Sequence, residues 1–103
     1  MFKLQPKPTF WAKVAISIPG EAKPVPIDIE FKHLGRDGLK DFFEHLEGKT
    51  DIEALNDIVL DWKGVDATFC EESLNELLNN YPSAAMSLFD AYRREAMEAK
   101  AKN

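Results

Sequence analysis

Cysteine is almost missing from this sequence. The single thiol, Cys70, cannot close an internal disulfide, which fits an intracellular chain and gives the fold no crosslink to lean on. Long apolar runs are missing too, since a bilayer span needs about 18 apolar residues in succession. The opening residues, Met1-Phe2-Lys3-Leu4-Gln5-Pro6-Lys7-Pro8, lack the apolar stretch of about 7–15 residues that a secretory signal carries. Histidine is limited to His33 and His45, and no HxxxH or CxxC spacing brings metal ligands together. Both read as surface or hydrogen-bonded polar residues. Neither GxGxxG nor GxxxxGK occurs, so no glycine loop is shaped to cradle phosphate. Cys70 has no evident activating base and reads as a small residue near a helix start, with Glu71 and Glu72 directly after it. These gaps leave no catalytic, metal-binding or cofactor-binding constellation, and they point to a non-enzymatic protein that binds other proteins.

What is present suits one small domain spanning residues 1–103, with 45% apolar and 30% charged residues. A domain of this size buries only roughly two-thirds of its unfolded surface, which favours self-association into a homo-oligomer. The net charge of −5 is uneven. Five Lys face three acids through Gly35, thirteen acids face four bases from Arg36 to Tyr92, and four bases face two acids from Arg93 onward. An acidic middle repels phosphate and argues against nucleic-acid binding. Paired carboxylates at i, i+4 (Asp37 and Asp41, Asp57 and Asp61, Glu72 and Glu76) read as solvated helix faces, because nothing marks them as buried.

Hydrophobic periodicity predicts an α+β fold: an N-terminal two-stranded antiparallel β-hairpin followed by about four helices. Phe10, Ala12, Val14, Ile16 and Ile18 alternate with more polar residues, as do Val25, Ile27, Ile29 and Phe31, giving a hairpin over 9–32. Pro19-Gly20 and Pro24 punctuate the connection. Pairing Ile18 with Val25 sets Ala12 opposite Phe31, Lys13 opposite Glu30 and Trp11 opposite Lys32, which predicts an ion pair and a cation–π contact. Pro26 belongs on an edge strand or at the first residues of a strand. Helical spacing then predicts helices over 36–47, 51–62, 70–80 and 82–99. Gly48 is a candidate stop for the first helix, and Thr50 or Asp51 a candidate cap for the second. Ile52, Leu55, Val59 and Trp62 form that second helix's stripe. Residues from Lys100 onward are expected to fray.

Trp11 is the first candidate for binding a partner or a second copy, because a large aromatic is out of place on the outer, polar face of the hairpin. The competing structural reading is a ring covered by Lys32 or by Phe2 and Leu4 of the N-terminal arm. Phe2, Leu4, Arg93 and Arg94 complete the set of association candidates, the arginines lying on the basic fourth helix.

The chain also resembles the tail assembly chaperones of long-tailed bacteriophages and prophages. The likeness runs through Phe2-Lys3-Leu4-Gln5-Pro6-Lys7-Pro8-Thr9-Phe10, through Ile29-Glu30-Phe31-Lys32-His33 with Arg36-Asp37, and most closely from Trp62 to Tyr92, including Asn80-Tyr81-Pro82-Ser83-Ala84-Ala85 and Leu88-Phe89-Asp90-Ala91-Tyr92. Most of the matched positions are also core positions. The resemblance implies a protein of the bacterial host's cytoplasm, absent from the mature virion. Such a protein coats and solubilises the tape-measure protein and helps tail-tube protein polymerise around it. No catalytic residue and no cofactor is carried over. The family often makes a longer product by programmed frameshifting, and Ala101-Lys102-Asn103 is compatible with a slippery codon string. The alternative reading is a generic acidic interaction or regulatory module, including a DNA mimic. A small hydrolase is a third.

Overall fold

The structure is a computed structural model and describes residues 1–97. Two strands, β1 (Thr9–Ile16) and β2 (Val25–Lys32), form the expected hairpin, and helices α1 (Arg36–Glu44) and α2 (Asp51–Ile58) follow. A third strand, β3 (Val59–Lys63), then precedes α3 (Glu71–Asn80) and α4 (Ala84–Met97). All three strands are antiparallel neighbours in the order β1-β2-β3. The fraying expected from Lys100 onward and the far end of the 82–99 helix lie outside the described residues.

The third strand corrects the helix predicted over 51–62. That helix stops at Ile58, where the β-branched pair Ile58-Val59 turns directly into strand with no linker. The apparent helical stripe of Val59 and Trp62 has a different cause. Phe31 pairs with Val59 and Glu30 with Asp61, so Leu60 is an extra residue in the ladder. Such a bulge reverses the inward–outward parity within one strand. Residues three apart, Val59 and Trp62, therefore both face the core. Asp57 and Asp61 consequently sit on different elements and do not form a helical carboxylate pair.

The hairpin register also differs from the expected one. Ile16 pairs with Val25, Ala12 with Ile29, Lys13 with Asp28 and Trp11 with Glu30, a slip of two residues from the Ile18–Val25 pairing. A slip of two keeps every side chain on its own face, so alternation cannot distinguish the two registers. Aromatic packing and the turn favour the observed one. Phe10 lies opposite Phe31 with their rings 5.7 Å apart, and both meet Tyr92 of α4. At the other end the backbone N–H of Glu21 donates to the Ile18 carbonyl at 3.0 Å, with Gly20 at φ +87°. Pro19 before a positive-φ glycine is the chemistry of a type II turn, and it takes Ile18 out of the ladder. Pro26 is tolerated in the middle strand because β3 begins pairing only at Asp28.

All helices cover one face of the sheet. The core joins Val14, Ile29, Phe31 and Trp62 from the strands to Phe42, Leu55, Leu74, Leu88 and Tyr92 from the helices. Tyr92 is fully buried, and its hydroxyl donates to the Lys32 carbonyl at 2.9 Å, fastening α4 to the open end of the hairpin. The Trp62 indole N–H donates to the Ala67 carbonyl at 2.7 Å, and its ring meets Phe69 edge-on. Each buried polar tip thus has a partner. The start of α2 follows its sequence signal, and that of α3 uses a cysteine where the signal would have a hydroxyl or carboxylate. Thr50 and Glu53 form a capping box on α2, while Cys70 and Ser73 form one on α3. The first helix ends at Glu44, short of 47, and the chain continues through a 3-10 turn, Leu46–Gly48.

Candidate protein-docking surface

With one face of the sheet closed by helices, the other is open, and Trp11 stands on it 41% exposed. The cation above its ring is not Lys32 but Lys63, whose Nζ lies 4.4 Å from the ring centroid. Lys63 reaches Trp11 because β3 exists, and β3 aligns Lys63 with Asp28 on the middle strand. Around the ring, Lys13 pairs with Asp28 at 3.0 Å rather than with Glu30, and Glu30 accepts from the Thr9 hydroxyl at 2.8 Å. Exposed ion pairs of this kind contribute only about 0–1 kcal/mol. Their effect is to present a flat face of mixed charge around one aromatic ring.

The other association candidates lie elsewhere. Phe2 and Leu4 are 87% and 90% exposed, so the arm packs on little of its own chain and does not cover Trp11. Arg93 is exposed, with its guanidinium 5.6 Å from the Phe43 ring centroid, and Arg94 is exposed in the last turn of α4. The arm and the arginines share one end of the molecule, since Tyr92 binds the Lys32 carbonyl and Lys32 pairs with Thr9, where the arm begins.

A feature that the periodicity did not reveal occupies the opposite end. Ile18, Val25, Val65, Leu77 and Tyr81 line a groove of about 290 Å³ at the hairpin tip. Ile18 and Val25 carry a strand-like, inward signal in the sequence, but the register leaves them beyond the helices, and Val25 is exposed.

Hydrogen bonds from the Thr50 backbone and then its hydroxyl hold the Glu53 carboxyl below its usual range. Burial pushes the Tyr92 phenol up to about 12. His45 contacts the Asp41 carbonyl through Nδ1 at 2.7 Å. The Cys70 sulfur accepts from the Ser73 backbone N–H at 3.4 Å, as a helix cap. Among the described residues, no group of three or more His, Cys, Asp or Glu side chains is placed to hold a metal ion. Also among the described residues, no helix is long and apolar enough to cross a membrane.

No curated protein and no solved structure matches the chain. A family model described as phage tail assembly chaperone matches residues 1–103, the whole sequence, and the chain therefore belongs to that family.

Proposed function

We propose that this tail assembly chaperone binds the tape-measure protein through the open face of its sheet, with Trp11 as the anchor, and keeps that client soluble until tail-tube protein encloses it. It acts without catalysis in the host cytoplasm, as a single domain present in several copies, and is absent from the finished particle. A tape-measure protein exposes long apolar helical stripes before enclosure, and exposed stripes aggregate. Many copies of a small acidic domain along such a stripe supply both avidity and solubility.

The supporting observation is Trp11. A large ring left 41% exposed on a polar sheet face, and held under a lysine, has the form of a preset contact. Co-expression with the tape-measure protein of the same phage tests the reading. The wild-type chain should bring that protein into the soluble fraction. Trp11→Ala should lose this effect while its thermal midpoint stays close to wild type. A client that remains insoluble with wild type, or is rescued equally by Trp11→Ala, rejects the reading.

A further inference from the structure

We propose that the N-terminal arm of one copy seats in the hairpin-tip groove of a second copy, with Phe2 and Leu4 against the apolar walls and Lys3 and Lys7 toward the acidic rim. The two surfaces match in chemistry. Residues 1–8 carry three large apolar side chains, Met1, Phe2 and Leu4, and two lysines with no acid. The groove is apolar apart from Asp66, its only charged lining residue, and the adjoining depression adds Glu76. Neither contains a basic residue.

Chain length keeps Leu4 out of the arm's own groove and lets Phe2 reach no farther than its near edge. The Pro8 carbonyl accepts from the His33 backbone N–H at 2.8 Å, which roots the arm at the open end of the hairpin. From that root Leu4 reaches at most about 14 Å and Phe2 about 21 Å, at roughly 3.5 Å per residue. The nearest wall residue, Ile27, pairs with Val14. That level is about 20 Å along the strand at roughly 3.3 Å per residue. Ile18 and Val25 lie farther still. An arm folded straight back, with nothing spent on the reversal, would bring Phe2 only to the near edge and leave Leu4 outside. A second copy has no such constraint.

Root and groove are at opposite ends of the sheet, so the contact is head-to-tail. Such a heterologous contact repeats into a ring if the rotation closes and into a filament if it does not. The inference is independent of the tape-measure reading, because neither surface includes Trp11.

Sedimentation velocity across a concentration series tests it on the isolated chain, with no client present. Wild type should self-associate. Phe2→Ala/Leu4→Ala should raise the dissociation constant by about tenfold or more, as expected for withdrawing two large apolar groups from an interface, with an unchanged thermal midpoint because both residues are exposed. A charge exchange adds a rescue. Lys3→Glu/Lys7→Glu and Asp66→Lys/Glu76→Lys should each weaken association alone, and mixing the two should restore it, since each arm then meets a groove of opposite sign. Three results would overturn the proposal: a wild type that stays monomeric at millimolar concentration, arm variants that associate like wild type, or a mixture that fails to recover.

Discussion

Replacing Tyr92 by Phe removes one oxygen where the core meets the open end of the hairpin and leaves the ring in place. The ring lies 5.1 Å from Phe31 and 5.8 Å from Phe42, measured between centroids, and these contacts survive the change. The hydrogen bond to the Lys32 carbonyl is lost, which costs about 0.5–1.5 kcal/mol at neutral pH. Alkali then separates the two proteins further. Burial raises the native phenol from its ordinary value of 10.0 to about 12. The unfolded chain ionises first, so the contribution is complete below pH ~10 and drains away as pH climbs to ~12, by about 1.4 kcal/mol per unit. The loss sums to about 2–3 kcal/mol. Tyr92→Phe has no such slope, while the lysines and Tyr81 are common to both proteins and cancel in the difference. Urea unfolding at pH values from 8 to 12, followed by tryptophan fluorescence, should show wild type ahead by about 1 kcal/mol at the start and the two curves crossing near pH ~11. Curves that remain parallel through this range would refute the placement of the phenol in the core.

Thr50→Ala should destabilise by about 1 kcal/mol through loss of the α2 capping box, measured by urea midpoint. It should also move the Glu53 carboxyl part of the way back toward its ordinary range, readable by NMR titration, because the Thr50 hydroxyl is lost while its backbone N–H, the larger cause of the lowering, stays. Gly64→Ala should cost about 1 kcal/mol for a conformational reason. Gly64 has φ +87°, while an added Cβ would meet Ile27 Cα only at 3.8 Å, an ordinary contact. A thermal midpoint unchanged by this substitution would contradict the left-handed turn after β3.

Much of the fold was legible because its elements obey one period at a time. Strands β1 and β2 alternate cleanly, α2 starts at Thr50, a favoured cap residue, and the aromatic and leucine stripe of α4 runs at helical spacing. The third strand was hidden by its bulge. An extra residue at Leu60 sets buried Val59 and Trp62 three apart, and three apart is what a helix also requires. No glycine or proline marks the junction after Ile58. The same strand decides the surroundings of Trp11. A two-stranded hairpin offers its ring only Lys32 of β2, whereas β3 brings Lys63 over it. The place of Trp11 on the outer face was readable, because its polar neighbours define that face, but alternation alone left open whether its ring is covered. The solvent exposure of Phe2 and Leu4 was not readable, since an apolar pair on an arm fits a packed arm equally well.

The hairpin-tip groove follows from the register. Had Ile18 paired with Val25, the ladder would have continued to the tip, with a shorter turn between. Instead Ile16 takes Val25, and residues 17–24 leave the ladder as an eight-residue connection that opens with the Ile18–Glu21 turn. Alternation tolerates either arrangement, so the choice falls to the far end, where Phe10, Phe31 and Tyr92 stack only if Phe10 is opposite Phe31. Aromatic packing around the root of the arm thereby determines what lies open some eight residues away. Ile18 and Val25 remain only partly covered, facing Leu77 of α3 across the recess, and serve as walls. The same packing that anchors the arm at one end creates, at the other, the apolar recess that a neighbour's arm can fill.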